Sequence, residues 1–168
     1  MKKTILYNFL VDKENNKIHV ERSFQAPVDL VWAAWTEADI LDQWWAPKPW
    51  KAETKSMNFS QGGMWHYCMV GPEGERQWCL FHYQKIDPEK HFSGVDAFCD
   101  ENAVENETKP RVKWHNNFIP GENNTLVDIS LEFESLEDLE TLIEMGFREG
   151  FTAGLENLDA YIKARANG

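Results

Sequence analysis

Between Trp50 and Phe133 the apolar pattern runs mainly with a period of two, whereas over Val28–Trp44 and Leu136–Ile162 apolar side chains recur at every third or fourth position. A period of two places alternate side chains on opposite faces of a strand, whereas a period near 3.6 lines one face of a helix. Leu126–Phe133 alternates most clearly, with Val127, Ile129, Leu131 and Phe133 inward and Asp128, Ser130 and Glu132 outward. Met64–Val70 puts Trp65, Tyr67 and Met69 on one face and His66 and Cys68 on the other. Gly71–Gly74 is a turn that returns the chain along Arg76–Ile86. Both faces of that returning strand carry large side chains, so the pattern leaves its buried face open. His91–Cys99 and Arg111–Phe118 are further strands, and Gly62-Gly63 reads as a bend or bulge in the sheet.

The flanks are different. Phe9–Val11 and Ile18–Val20 bracket the polar run Asp12–Lys17, with Asn15-Asn16 at its centre, which predicts a hairpin whose second arm continues to Phe24. Residues 1–17 are therefore an N-terminal hairpin extension. Pro27 suits the first turn of a helix, and Val28, Val31, Trp32 and Trp35 then share one face. Thr36 and Asp39 have capping-box spacing, predicting a second short helix that carries Ile40, Leu41 and Trp44 inward and ends at Ala46-Pro47-Lys48-Pro49. Ser135 and Asp138 repeat that spacing ahead of a stripe of Leu136, Leu139, Leu142 and Ile143. Gly146 predicts a break. Beyond it Phe147, Phe151, Leu155, Leu158 and Ile162 form one apolar face of a long final helix. Gly150 and Gly154 lie in that helix at a cost of about 1 kcal/mol each against Ala, which suggests close approach to the sheet or room for something bound. Strands, two short helices, more antiparallel strands and a long amphipathic helix make an α+β layer arrangement. With no repeat or linker, residues 1–168 read as one domain.

Composition narrows the function classes. Eight Trp and ten Phe favour a bulky core or an aromatic-lined pocket. A formal charge of −11 repels phosphate backbones and anionic lipid, which argues against nucleic-acid and membrane partners. No run approaches the roughly 18 apolar residues that would predict a spanning helix, and Met1–Asn8 lacks the apolar region of a secretory signal. Cys68, Cys79 and Cys99 form no C-x-x-C and read as reduced thiols, consistent with a cytoplasmic location.

Candidate chemistry is sparse. His19, His66, His82, His91 and His115 have no metal-ligand spacing, no G-x-S-x-G is present, and no cysteine has a context that lowers its pKa. No metal or cofactor is expected, and no catalytic residue is assigned. Asp96, Asp100 and Glu101 read first as solvated strand-end charges. A carboxyl inside an apolar cavity would instead have a raised pKa and be able to serve as a general acid or base, and His82 with Asp96 is the pair in which to seek this.

Arg22-x-Phe24-x-Ala26-Pro27, Val31-Trp32-x-Ala34-x-Thr36 and Leu41-x-x-Trp44-Trp45-x-Pro47 resemble the opening signature of the activator of HSP-90 ATPase homologue family. That family lies within the START/SRPBCC helix-grip superfamily. Gly62-Gly63-x-Trp65, Ile86-x-Pro88-Glu89, Thr125-x-Val127 through Phe133, and Gly146-Phe147-x-x-Gly150-Phe151 continue the match in order. Ala46 stands where Gly is common in the family. The resemblance implies a curved antiparallel sheet wrapped around the C-terminal helix, with a hydrophobic cavity between them. Joined to the inward-facing positions read above, that cavity has Trp65, Tyr67, Met69, His82, Asp96, Trp114, Asn116, Phe147, Phe151 and Leu155 as candidate residues, with Tyr67 and Asn116 as polar anchors; the alternative is that the aromatic rings among them fill the space as plain core. The leading expectation is a non-catalytic carrier or sensor whose partner is a hydrophobic small molecule. An enzyme using a cavity acid or His is the first alternative, because superfamily members include polyketide cyclases. A chaperone cofactor is the second, with Trp44, Trp45 and Trp50 as the surface to inspect. The sequence leaves a homodimer open.

Overall fold

The computed structural model describes residues 6–166. The first residues of the N-terminal extension and of the Met1–Asn8 segment, 1–5, lie outside the described part.

Strands β1 (Tyr7–Asp12) and β2 (Lys17–Phe24) form the expected hairpin, with Asn16 at φ 54° in its turn. Helices α1 (Val28–Thr36) and α2 (Ala38–Trp44) follow. Six more strands come next: β3 (Lys51–Met57), β4 (Met64–Val70), β5 (Arg76–Asp87), β6 (His91–Phe98), β7 (Val112–Pro120) and β8 (Thr125–Phe133). Helices α3 (Leu136–Glu144) and α4 (Phe147–Ala166) end the described chain. All eight strands join one antiparallel sheet in the order β1-β2-β8-β7-β6-β5-β4-β3. It is the helix-grip arrangement: a curved sheet whose inner face is covered by the long final helix.

The inner face follows the alternation. Ile18, Val20 and Phe24 on β2 and Val127, Ile129, Leu131 and Phe133 on β8 are buried, and they meet Phe151, Leu155, Leu158 and Ile162 of α4 in one core. Tyr7 of β1 ties the sheet edge to α4 through a hydroxyl–hydroxyl hydrogen bond to Thr152 (2.5 Å). Gly146, at φ +91°, separates α3 from α4 as its position predicts. Ser135 Oγ accepts from the Asp138 N–H at 3.1 Å, so this cap forms.

Several local expectations change. Thr36 does not cap α2: it closes α1, its hydroxyl donating back to Trp32 O at 2.8 Å, and Glu37 takes the N-cap position of α2 without a side-chain bond. Pro27 precedes the first turn of α1 as its N-cap. Leu136 stands at the solvent side of α3, outside the Leu139 and Leu142 stripe. The glycines of α4 approach the end of α2 and not the sheet: a Cβ on Gly154 would lie 3.2 Å from Trp45 O, and one on Gly150 would lie 3.7 Å from the Pro47 ring.

The open face of β5 is now assigned. Cys79, Phe81 and Tyr83 face inward in register with Tyr67, Trp65 and Gly63. The far face is buried here too. His66, Cys68, Leu80 and Ala97 are covered on that side, and His66 Nε2 bonds Asp100 O at 3.0 Å while its ring packs on Trp78. Cys68 and Cys79 therefore sit on opposite faces as free thiols. Among the described residues no helix is long and apolar enough to cross a membrane.

Candidate functional site

A cavity of about 440 Å³ lies between the inner faces of β4–β7, the start of α4 and the segment joining α2 to β3. Three sources build its wall. The sheet contributes Tyr67 and Met69 from β4, Cys79 from β5, Asp96 and Phe98 from β6, and Val112 and Trp114 from β7. The helical layer contributes Leu142, Met145, Phe147, Gly150 and Phe151. Trp45, Pro47 and Trp50 come from the proline-containing loop that joins α2 to β3. Gln77 and Met145 are exposed and mark the mouth.

The wall is held by aromatic edges. Trp114 packs edge-on against Phe151 with centroids 5.5 Å apart, Trp45 lies 5.8 Å from Trp114 and 6.1 Å from Phe151, and Phe147 stacks on Phe151. Such offset and edge-to-face pairs use the quadrupoles of the rings as well as their apolar area. Two indole N–H groups point into the polar part of this lining. Trp45 Nε1 donates to the Tyr67 hydroxyl at 2.9 Å, and Trp114 Nε1 donates to Asp96 Oδ2 at 2.8 Å.

Asp96 is the one ionisable carboxyl among the cavity-lining residues. Its residual exposure opens into the cavity, and protein surrounds it. Burial disfavours its charged form and pushes its pKa up to about 7, against a smaller downward pull from the Trp114 hydrogen bond. Burial also raises the Tyr67 hydroxyl and the Cys79 thiol well above their ordinary ranges, and the nearby Asp96 carboxylate adds to both shifts. All three are thus weak acids, and at neutral pH only Asp96 changes charge readily.

Of the expected cavity residues, Tyr67, Met69, Asp96, Trp114, Phe147 and Phe151 come together. Four do not. Trp65 is buried beside the cavity, stacked on Tyr67 at 4.0 Å and donating to Thr54 Oγ1. Leu155 is core, deeper along α4. Asn116 faces inward but is enclosed away from the cavity, and its Oδ1 has no hydrogen-bond partner among the described residues. His82 is exposed, on the opposite face of β5 from Phe81, which pairs with Asp96, so the His82–Asp96 pair does not exist. Asp96 itself is no solvated strand-end charge. Asp100 is: turn N–H groups of Val104 and Asn102 hold its carboxyl below the usual range. Sequence reasoning missed Trp45, Pro47, Trp50 and Met145 as cavity residues. They lie outside the strands and helices, where no periodic signal marks an inward position. Trp44 is buried, donating to Ala34 O, so the three tryptophans considered as a protein-binding surface do not form an exposed patch. Among the described residues no cluster of metal-ligating side chains occurs.

The comparisons agree with this architecture. The family model described as activator of Hsp90 ATPase homolog 1-like protein matches residues 25–163. The solution structure of a protein from Arthrobacter aurescens is similar over 94% of this chain and 91% of its own, with 29% identity and a TM-score of 0.89. A crystal structure from Mycobacterium smegmatis aligns over 94% and 96% of the two chains, at 24% identity and a TM-score of 0.86. A protein from Silicibacter pomeroyi named for the same family aligns over 89% and 99%, at 18% identity and a TM-score of 0.69; these last two likenesses bear on the fold alone. No curated protein matches the chain significantly. With the family model spanning most of its length, the chain belongs to the activator of Hsp90 ATPase homolog 1-like family.

Proposed function

We propose that this protein binds a hydrophobic small molecule in the cavity between sheet and helix, as a carrier or sensor. The observation that carries the reading is the lining: aromatic rings from three separate elements surround a space of about 440 Å³ with one carboxyl and one phenol at its wall. A mostly apolar hollow with a few convergent polar groups is the usual form of a small-molecule site. Family membership supports a START-like ligand-binding domain at the same coarse level. The test is a thermal-shift and native mass-spectrometry screen of fatty acids, aromatics and polyketide-like compounds. It runs beside Val112→Phe, which fills the cavity from β7. A saturable shift that this variant removes is expected. If no compound gives one, the reading fails.

Asp96 favours a second reading, an enzyme that uses a cavity acid. A carboxyl with a pKa of about 7 is matched to proton transfer at neutral pH. It has no basic partner in the cavity, and His82 stands outside it. Turnover of a bound compound that Asp96→Asn abolishes, with binding retained, is the result that would favour this reading over simple carriage. The chaperone-cofactor reading has no comparable support, because Trp44 is buried and the half-buried Trp45 and Trp50 line the cavity instead of forming an exposed patch.

A further inference from the structure

We propose that the ligand is an organic cation: an aromatic or alicyclic amine whose ammonium group pairs with Asp96 while its hydrocarbon body lies among Trp45, Trp114 and Phe151. The inference rests on the cavity being a ligand site and adds the charge of what enters it.

Three observations carry it. First, the lining residues include a carboxyl and no Lys, Arg or His. A fatty-acid carboxylate or a phosphate would be buried here with no counter-ion, as a second negative charge beside the ionised Asp96 or as an unpaired one beside the protonated acid, so either is disfavoured. Second, Trp114 occupies Oδ2 of Asp96, whereas Oδ1 accepts no hydrogen bond from the described residues and the carboxyl's exposed surface opens into the cavity. Third, Trp45, Trp114, Phe147 and Phe151 make most of the wall aromatic, and a desolvated cation seated among such rings is attracted by their quadrupoles. A chain of formal charge −11 also raises the concentration of cations at its surface.

The sign of the pH dependence separates this ligand from a neutral one. Tyr67 from β4 and Cys79 from β5 are the titratable groups facing Asp96; β7 presents Trp114, and α4 presents Phe147 and Phe151. Tyr67 and Cys79 stay protonated through the neutral range, so Asp96 alone sets the response. An amine needs the ionised carboxylate and gains affinity as pH rises. A carbonyl acceptor needs the protonated acid and loses it.

Isothermal titration with 1-naphthylmethylamine, 1-naphthalenemethanol and 1-naphthoic acid holds the ring constant and varies the charge. The amine is expected to bind about tenfold or more tighter than the alcohol, with the acid weakest. Its affinity should rise about tenfold between pH 6 and pH 8, as a group titrating near 7 requires. Asp96→Asn should remove this preference, with its thermal midpoint confirming a folded protein. If the alcohol or the acid binds as tightly as the amine, or Asp96→Asn leaves the amine unaffected, the charge assignment is overturned and the cavity reading stands. If none of the three binds, the charge assignment falls, and the cavity reading is decided by the broader screen.

Discussion

Trp114 Nε1 and Asp96 Oδ2 are 2.8 Å apart across the β6–β7 pair, and this is the only protein hydrogen bond to the Asp96 carboxyl among the described residues. The indole N–H favours the ionised form, so it opposes the burial that drives the pKa up to about 7. Trp114→Phe keeps a ring in the wall and removes the donor. The Asp96 pKa should then move further upward. Carbon-13 NMR titration of the side-chain carboxyl reads this directly, and an unchanged or lowered value would contradict the assignment.

The same raised pKa makes Asp96 a pH-dependent burden on the fold. Its unfolded value is 3.8 and its folded value about 7, so between the two the folded state holds a proton that the unfolded state has lost. Stability from this group is therefore full below about pH 4 and declines as pH rises, by up to about 4 kcal/mol near pH 7. Asp96→Asn carries no charge at any of these values. The stability difference between variant and parent, measured by urea unfolding, should grow in the variant's favour from pH 4 to pH 7 and then level off. A difference that stays flat would mean that the carboxyl is ionised and compensated throughout.

The strands and helices were legible because their burial is periodic. Val127, Ile129, Leu131 and Phe133 face one layer, and Phe147 to Ile162 face it from the other side, so both patterns point to the same core. The cavity was only half legible, for physical reasons. β5 carries Trp78 and Leu80 on one face and Cys79, Phe81 and Tyr83 on the other. The turn after Asp100 covers the far face locally, so neither set reads as solvent-facing. That ambiguity placed His82 inside. A register shift between Tyr83 and Ile86 adds to it by changing the phase of the pairing with β6. Asn116 was assigned to the correct face, but alternation gives no depth along a strand, and its neighbours Phe92 and Ile129 enclose it away from the cavity. Asp96 alternates among Gly94 and Phe98, too mixed a set to mark an interior acid.

A second buried charge holds α4 to the sheet. Arg22 projects from the inner face of β2 and stands 3.8 Å from Asp159 Oδ1, with its guanidinium over the Phe24 ring and donating to Ser23 O. At that separation the pair is a Coulombic contact without a direct hydrogen bond, and both side chains are buried. Desolvation lowers the Arg22 pKa, and Asp159 is the largest opposing influence. Asp159→Asn should cost about 3 kcal/mol, because it leaves a buried cation uncompensated. Lys163 also pairs with Asp159 at 2.9 Å but is exposed, so Lys163→Met should cost less than about 1 kcal/mol. Urea unfolding of the two variants checks the ranking, and equal losses would mean that the buried pair has no special weight.

Gly150 and Gly154 sit one helical turn apart on α4, and the same substitution should affect them in opposite directions. Alanine gains about 0.5–1 kcal/mol over glycine in a helix interior, mainly by restricting the unfolded chain. At Gly150 the new methyl would meet only the Pro47 ring at 3.7 Å, an ordinary contact, so the gain survives. At Gly154 it would meet the backbone carbonyl oxygens of Trp45 at 3.2 Å and Trp44 at 3.4 Å. Those carbonyls cannot swing aside as a side chain does. The end of α2 is fixed to α4 by Asn157, whose amide donates to Ala46 O at 3.1 Å and reaches Trp44 O at 3.4 Å. Trp44 is anchored again by its own indole bond to Ala34 O. Moving this corner by a few tenths of an ångström disturbs close-packed rings, and overpacking of that kind costs about 1–3 kcal/mol. Gly150→Ala should therefore raise the thermal midpoint, and Gly154→Ala should lower it. Gly150 also lines the cavity, so its methyl narrows the space beside Pro47 and should weaken a bound ligand while stabilising the empty fold. A Gly154→Ala protein as stable as Gly150→Ala would show that α2 yields freely, and that the two short helices do not set the position of the cavity's loop wall.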